Sequence, residues 1–439
     1  MKKNQLWALH SWVGLYAGIA IAFLSLTGAA ALFRIELDAL FNPDLRQVES
    51  GGQHVTMNPI VEKVKSMHPD KLLFEVELPA SSESTWNIRL IAKQKDRLFP
   101  MLWEVFINPY TGEILGERNY YQTFSYYLRN LHVRFYEGFY GRQIVGLAGI
   151  ALLISTITGF FIYGQFMKKQ LFGTIRKKNL RIKQADLHKL IGVAALVFNL
   201  MIAITGAWLG LQVYLQKWLT IERPNTFQVK EAPFNKTKDT AYKVDFDRVY
   251  SNAKKHFPEL VPKLVRPSTN GDGTISVLGN VPRQAYERNS NKIVLDKRTY
   301  APLYTYDISH AGMGAKLFFI QESLHFGDFG GITLKFLYCL LGLTSGFLSI
   351  TGFIVYLERT RKNRMELPGY TELKPLLFRY TMGIITFCVF VAILSLLWGI
   401  GIPTLFVVIL FYGFVVLVLL KRIIEFVRTK WSGSNRQRI

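Results

Sequence analysis

Four histidines at repeated positions could bind a metal centre. Each follows a leucine and precedes an uncharged run that contains a Thr-Gly pair, and they are His10, His132, His188 and His325. The first and third motifs lie 178 residues apart, and the second and fourth lie 193 residues apart. Self-similarity of this kind indicates an internal duplication, in which each half carries two histidines.

Imidazole pairs on facing helices can hold the iron of a b-type haem from both sides. If the two halves are related by an axis along the membrane normal, equivalent residues lie at equal depth. His10 would then pair with His188 on the cytoplasmic side, and His132 with His325 on the external side. The sequence therefore predicts two b-type haems. Taken singly, each histidine could instead be an interfacial residue with its ring among the lipid headgroups.

Small residues follow the histidines of the inner pair and could let a flat macrocycle lie against a helix. Gly14 and Gly18 follow His10, and Gly192 follows His188. Tight helix packing in a membrane would explain these glycines equally well.

Haem propionates need cationic partners. Arg134 and Arg142 are the external candidates, and Lys2, Lys3 or Lys189 are the internal ones. Snorkelling anchors and positive loops would account for the same residues.

The two predicted haems are expected near opposite membrane faces. Thr27 lies 17 residues beyond His10, which corresponds to about 25 Å along a helix. Two redox centres at these depths would form an electron path across the bilayer. The depth of His132 and His325 stays open, because several residues, including glycines, separate each from its uncharged run.

The elements that must position these residues are membrane spans. Half of the residues are hydrophobic, and uncharged windows of at least the roughly 20 residues needed to cross a bilayer recur along the chain. The last window is long enough for two helices joined by the Gly-Pro turn at 399–403. The fold class expected is an α-helical membrane protein with six transmembrane helices, of which the first four form the duplication. The expected segments are span 1 at 9–33, a first external domain at 34–130, a ligand segment with span 2 at 131–167, a basic linker at 168–187, span 3 at 188–216, a second external domain at 217–323, a ligand segment with span 4 at 324–357, a transmembrane hairpin at 376–420 and a basic tail at 421–439.

The net charge of +22 is explained by topology. Most of the basic excess lies in the short loops and the two termini, which the positive-inside rule places in the cytoplasm. The large loops are then external, and anionic lipid is the expected partner of the basic segments; no nucleic-acid partner is needed.

Cys339 and Cys388 both lie inside predicted spans, so no disulfide framework is expected. The first span is too long for a typical signal peptide and is expected to remain.

Each external loop is expected to form an α+β domain. The first has a helical pattern at 58–67, ending before Pro69, and strand patterns at 73–78, 86–91 and 103–107; the second has a helical pattern at 246–257 and strands at 275–278 and 292–295. Pro43 is expected to stop regular structure.

Aromatic residues near the external face suit either interfacial anchoring or a substrate vestibule; they are Tyr120, Tyr121, Tyr126 and Tyr127, with His310 as a further candidate.

The Leu-His and Thr-Gly spans, together with the segment Phe106-Ile-Asn-Pro-Tyr-Thr-Gly-Glu-Ile-Leu115, resemble the PepSY-associated transmembrane helix family over residues 5–365. Within it, the chain is similar to the iron-regulated inner-membrane proteins of the ferrioxamine-reductase type. The resemblance implies a PepSY domain in each periplasmic loop, haem on the span histidines, and reduction of ferric siderophore with release of ferrous iron. Asp296-Lys-Arg-Thr299 lacks the Pro and Gly of the family's turn, which leaves the fold of the second domain open.

The function expected from these observations is that of a di-haem oxidoreductase in the bacterial inner membrane. Siderophore oxygens hold hard Fe(III) and release softer Fe(II), so one electron would unload the chelate. No dinucleotide fingerprint is present, so a separate donor, a quinol or a cytoplasmic reductase, is expected. The alternatives are a quinol-linked b-type cytochrome with another periplasmic acceptor, a haem-free siderophore or peptide transporter, and a peptidase-regulating membrane protein. No catalytic side chain is assigned.

Overall fold

The computed structural model describes residues 3–92, 101–136, 138–167, 173–176, 178–219, 244–268, 272–282, 284 and 288–360, with isolated positions at 375, 378, 382 and 386. Apart from those isolated positions, the hairpin predicted at 376–420 lies outside the described residues. The tail predicted at 421–439 lies outside them as well.

Eleven helices and eight strands can be followed through the described residues. The helices are α1 (Lys3–Ala31), α2 (Arg34–Phe41), α3 (Pro43–Arg46), α4 (Met57–Met67), α5 (Phe124–Arg134), α6 (Gly138–Met167), α7 (Leu180–Ala194), α8 (Leu196–Trp218), α9 (Phe246–His256), α10 (Met313–Phe326) and α11 (Gly331–Thr360). The strands are β1 (Leu72–Glu77), β2 (Trp86–Ala92), β3 (Met101–Ile107), β4 (Ile114–Asn119), β5 (Val261–Pro267), β6 (Thr274–Asn280), β7 (Asn291–Asp296) and β8 (Pro302–Tyr306).

Four stretches of helix are long and apolar enough to cross a membrane. They are Asn4–Ala31, Gly138–Gly164, Leu196–Trp218 and Asp328–Thr360. They fall where the first four spans were predicted, which confirms that the chain is a membrane protein with apolar helices at these places.

The four long helices form one bundle, in which α1 lies beside α6 and α11, and α8 lies beside the same two helices. Small residues bring the helix backbones into contact. This is usual in membranes, where the hydrophobic effect does not drive helices together and close packing does. A Cβ on Gly210 of α8 would lie 2.3 Å from Cα of Gly146 on α6. On the other side, the Ser25 hydroxyl of α1 donates to the carbonyl of Gly342 on α11 at 2.7 Å.

Three of the predicted spans do not continue unbroken from their histidine segments. Phe135 and Tyr136 adopt positive φ of 47° and 65° between α5 and α6, and Gly327 and Gly331 do so between α10 and α11. Ala195 leaves helical geometry between α7 and α8. The histidine segments α5, α7 and α10 are therefore separate helices from the spans that follow them, because a hydropathy window detects missing charge and not the continuity of the backbone.

All eight strands belong to one antiparallel sheet with the order β4-β3-β2-β1-β5-β6-β7-β8. The halves join where β1 pairs with β5, Val76 opposite Val265 and Glu77 opposite Leu264. Helices α4 and α9 contribute apolar side chains to a core that both halves share. The two external domains expected from the sequence are therefore fused by one continuous sheet.

The helices predicted in the external loops are confirmed as α4 and α9, and five of the eight strands were predicted. Strands β4, β5 and β8 were not. The expectation that Pro43 ends regular structure was wrong, since Pro43 begins α3. Proline has a fixed φ that suits the first helical position, where its missing N–H is not needed.

The turn after β7 keeps the form of its counterpart after β3 despite its different sequence. The Asn108 side-chain oxygen accepts from the N–H of Tyr110 at 2.9 Å, and the Asp296 carboxylate accepts from the N–H of Arg298 at 2.9 Å. Tyr300 has φ of 60°, where Gly112 has φ of 72°. The second turn therefore tolerates the loss of Pro and Gly, since an Asx turn fixes it.

Candidate functional site

The four histidines form two imidazole pairs. The ring centroids of His10 and His188 are 6.2 Å apart, with an interplanar angle of 88°. Those of His132 and His325 are 6.4 Å apart, with an angle of 32°. The structure thus brings together the same partners that the repeat in the sequence pairs by depth.

Different elements present the two pairs. His10 lies in the second turn of the long helix α1, and His188 lies in α7. His132 and His325 lie in the last turns of the short helices α5 and α10, which end at left-handed residues. Because α5 and α10 follow β4 and β8, we call this the sheet-side pair, and we call His10 and His188 the far pair.

In each of the four rings, Nδ1 forms a hydrogen bond with a threonine hydroxyl. In each case the threonine belongs to the Thr-Gly pair of another helix. The distances from Nδ1 to the threonine Oγ1 are 3.0 Å for His10 and Thr158, 3.2 Å for His132 and Thr27, 2.9 Å for His188 and Thr351, and 2.9 Å for His325 and Thr205.

These hydrogen bonds determine the tautomer of the imidazoles. Each threonine hydroxyl also donates to the backbone carbonyl four residues earlier, as Thr205 does to Met201 at 2.8 Å and Thr351 does to Phe347 at 2.9 Å. Because the hydroxyl proton is used in that bond, the oxygen must accept from Nδ1–H of the histidine. Nδ1 of His10 also lies 3.1 Å from the carbonyl of Ser155, which can only accept. In all four rings Nε2 therefore keeps a free lone pair, as a metal ligand requires.

The glycine of each Thr-Gly pair gives the ring room to approach the helix. A Cβ on Gly28 would lie 2.8 Å from Cε1 of His132, and one on Gly159 would lie 3.2 Å from Cε1 of His10. For Gly206 against His325, and for Gly352 against His188, the distance is 3.4 Å. Glycine therefore permits these contacts where a larger residue would push the ring away.

Each ring is supported within its own half and paired with a ring of the other half. The Thr-Gly pairs of α1 and α6 support His132 and His10 respectively, and those of α8 and α11 support His325 and His188. Each site therefore contains two threonine–histidine hydrogen bonds, one within each half, and one histidine pair that joins the two halves.

The spacing of both pairs would suit two imidazole ligands on one metal ion. A metal lies about 2.0 Å from an imidazole nitrogen, and that nitrogen lies roughly 1 Å from the ring centroid, so the centroids of two opposed ligands are about 6 Å apart. In the described part of the chain, no group of three or more His, Cys, Asp and Glu side chains could hold a metal ion by itself. A pair of imidazoles suits a metal that brings its own equatorial ligands, as haem iron does.

A cleft of about 270 Å³ lies at the far pair. Gly14 and Gly192 line it together with both histidines, and a Cβ on Gly14 would meet nothing within 4 Å. Lys189 and Arg359 supply positive charge at the cleft. Lys189 was predicted for this role, whereas Arg359 was missed, because it follows span 4 and lies far in sequence from both far-pair histidines. A Cβ on Gly18 would lie 3.7 Å from Cβ of Ser349 on α11. Lys2 and the side chain of Lys3 lie outside the described residues.

At the sheet-side pair, buried polar atoms lack partners among the described residues. They are Nε of Arg134, Nε of Arg288 and Oγ of Ser323. Buried donors in native folds are nearly always paired, so these atoms suit a ligand that carries acceptor oxygens. Arg142, by contrast, donates to the carbonyl of Leu209 and to Gln212, both at 2.9 Å, and so ties α6 to α8.

The four predicted vestibule tyrosines lie close to one another. Tyr120, Tyr121 and Tyr126 form a triangle with ring centroids 4.9 to 5.7 Å apart, and Tyr127 packs on Tyr136 at 5.3 Å. The side chain of His310 is 87% exposed and lies 3.8 Å from Asp307. No described contact joins it to the tyrosines.

Two comparisons with known proteins bear on this chain. The sequence model of the family described as "PepSY-associated TM region" matches residues 7–359. A protein of Pseudomonas aeruginosa, described as uncharacterized, is 26% identical over 256 residues. That alignment covers 53% of this chain and 63% of the relative, so the chain spans less than two thirds of the relative's length.

Proposed function

Because the chain belongs to the PepSY-associated TM region family, we propose that it is a membrane oxidoreductase with two b-type haems that passes electrons across the bilayer to a ferric siderophore. In this proposal the membrane is the bacterial inner membrane, the sheet is periplasmic, and both chain termini are cytoplasmic. The first four of six spans are an internal duplication. Electrons come from a separate donor, a quinol or a cytoplasmic reductase.

The observation that carries the proposal is the geometry of the two imidazole pairs. Both have the centroid separation that one iron between two rings requires, and all four rings are held through Nδ1 by threonine. Haem supplies reversible one-electron chemistry at its iron. The threonines orient the rings and fix their tautomer, and partners of this kind typically raise the affinity of a metal site 10- to 100-fold.

The depth of the two sites supports transfer across the membrane. On the continuous helix α1, His10 belongs to the far pair, and Thr27 supports the sheet-side pair. Seventeen residues separate them, or about 25 Å along the helix axis. This is most of the roughly 30 Å hydrocarbon thickness of a bilayer.

The sheet-side pair is the natural exit for electrons. Its histidines lie in α5 and α10, which follow strands β4 and β8, and α5 also carries Tyr126 and Tyr127. Hard oxygen ligands hold Fe(III) far better than Fe(II). Delivery of one electron to a ferric chelate at this face would therefore release ferrous iron on the side where the sheet lies.

Haem content tests the proposal. The purified full-length protein should bind about two haems per chain, with a reducible six-coordinate spectrum. His10→Ala should remove the far-pair haem alone, and His132→Ala the sheet-side haem alone. His256→Ala, in the exposed end of α9, is the matched control and should keep both. A colourless wild-type protein, or loss of both haems with either single variant, contradicts the pairing.

The acceptor is tested separately. In inside-out and right-side-out vesicles, ferric siderophore offered on the sheet side should yield ferrous iron that a chromogenic chelator traps. Reduction should stop with either His10→Ala or His132→Ala, because each breaks the path. If the haem spectra are normal but no ferrous iron forms, the protein is still a cytochrome, and the siderophore is refuted as its acceptor.

A further inference from the structure

Five half-buried arginines lie in the elements around the sheet-side histidine pair. We call them the arginine cluster, and they are Arg34, Arg129, Arg134, Arg142 and Arg288. The charges of Arg129 and Arg288 repel that of Arg34. The charges of Arg129 and Arg134 likewise repel that of Arg142. Residues from α2, α5, α6 and the segment before β7 thus bring like charges to one place.

Contacts place the cluster next to the histidines. The guanidinium of Arg288 lies 3.9 Å above the ring of Phe326, whose centroid is 5.5 Å from that of His325. Arg134 follows His132 by two residues in the last turn of α5. Arg288 and Arg134 therefore connect the arginine cluster to the proposed electron exit, since Phe326 lies between Arg288 and His325.

The fold pairs its other partly buried arginines with carboxylates. Arg89 binds Glu75 at 2.7 Å, and Arg118 binds Asp38 at 2.7 Å. In contrast, no described carboxylate lies within 4.0 Å of Arg34, Arg129 or Arg134, and Nε of Arg134 is buried without a partner among the described residues.

The acidic side chains near the cluster do not balance it. Asp328 forms an ion pair with Arg288. Burial raises the pKa of Glu322, although the charges of Arg288 and Arg142 act against this shift. Burial lowers the pKa of Arg34, and the charges of Arg129 and Arg288 lower it further, although Tyr120 and Asp328 act in the opposite direction. Among the described residues, positive charge is therefore in excess here.

We infer that the arginine cluster is a carboxylate-binding site that makes the sheet-side exit selective for ferric chelates of net negative charge. Guanidinium groups bind carboxylates through paired, charge-assisted hydrogen bonds, and a concentrated positive field raises the local concentration of an anion. The inference rests on the function proposed above and narrows its substrate class. Haem propionates also carry carboxylates, but one haem has two, and with Asp328 already paired to Arg288 positive charge is still left over among the five arginines.

Binding can be measured without electron transfer. Gallium(III) has no accessible reduced state in water, so gallium(III) citrate reports on an anionic chelate, and a gallium(III) trihydroxamate reports on a neutral one. With the full-length protein in nanodiscs, calorimetry should show at least tenfold tighter binding of the citrate at low salt. Raising the salt concentration should weaken citrate binding alone.

Arginine variants identify the site. Arg129→Gln and Arg34→Gln should each weaken gallium(III) citrate binding about tenfold while haem content stays at wild type. Arg248→Gln is the matched control, because this arginine of α9 packs over Tyr300, and the variant should bind citrate normally.

The outcomes separate the inference from the proposed function. Equal affinity for the two gallium chelates overturns the inference, even if haem and reductase activity are intact. Loss of sheet-side haem in both arginine variants, with citrate binding unchanged, assigns the cluster to propionates and also overturns it. A haem-free protein that still binds citrate through Arg129 refutes the proposed function and supports the anion site.

Discussion

The imidazole of His132 lies directly against Gly28, so that a Cβ at residue 28 would be 2.8 Å from its Cε1 atom. Real Cβ atoms do not approach carbon this closely. Gly28→Ala should therefore displace the ring by several tenths of an ångström and lower sheet-side haem occupancy to less than half. The measurement is the haem-to-protein ratio with a reduced-minus-oxidised spectrum.

Gly342→Ala is the control for this variant. Gly342 also lies within a long apolar helix, and a Cβ there would meet nothing within 4 Å. Gly206→Ala and Gly352→Ala, at 3.4 Å from their rings, should have smaller effects than Gly28→Ala. Equal haem loss in Gly28→Ala and Gly342→Ala would mean that ring contact is not the cause.

Thr351 should act on the far pair through its hydroxyl. Thr351→Val keeps the shape but removes the acceptor for Nδ1–H of His188, so it should weaken haem binding at that pair by about 10- to 100-fold. Thr351→Ser keeps the oxygen and should restore most of the affinity. Haem affinity is measured by titrating haem into the apoprotein, and a serine variant as weak as the valine one would argue against the hydrogen bond.

Asp38 should anchor α2 to the sheet. Its carboxylate is 3% exposed and binds Arg118 at 2.7 Å and Arg46 at 2.6 Å. Asp38→Asn leaves Arg46 without its charge partner and leaves Arg118 with Glu104 alone, and breaking a buried ion pair lowers the free energy of unfolding by about 3–5 kcal/mol. Denaturant unfolding followed by tryptophan fluorescence checks this, with the exposed Asp70→Asn as a control that should change little.

The same carboxyl should contribute to acid sensitivity. Burial alone would raise the pKa of Asp38, but hydrogen bonds and charges from Arg118 and Arg46 outweigh it and hold the pKa below its usual range. The folded protein therefore binds fewer protons than the unfolded chain at pH values just below about 4. The stabilisation is fully present above that pH and is lost as the pH falls through the folded pKa. In a pH series of unfolding curves, Asp38→Asn should show a shallower decline at the acid end.

Contact between α6 and α8 should tolerate no added methyl group. A Cβ on Gly210 would lie 2.3 Å from Cα of Gly146, and neither backbone can rotate away. Gly210→Ala should lower the free energy of unfolding by about 1–3 kcal/mol and reduce the yield of monodisperse protein in size-exclusion chromatography. Gly164→Ala, at a position of α6 with open space around it, should behave as wild type.

Patterns that repeat or persist along the chain predicted much of this protein. Absence of charge over twenty residues located the four long helices, because the hydrocarbon excludes charge wherever the helix lies in the bundle. Alternation of apolar residues located β2 and β3. Strand β5 was missed because Pro262 and Pro267 argue against a strand, and its pairing with β1 depends on residues almost 190 positions away.

The sequence by itself determined which histidines pair, because the repeated Leu-His and Thr-Gly motifs match His10 with His188 and His132 with His325. Only the tertiary structure decided what the Thr-Gly pairs do. Thr158 is 148 residues from the histidine whose tautomer it sets, and that contact exists only when α1 and α6 pack side by side. A hydrogen bond between two helices has no signature in the order of residues along either one, so its role became visible only in three dimensions.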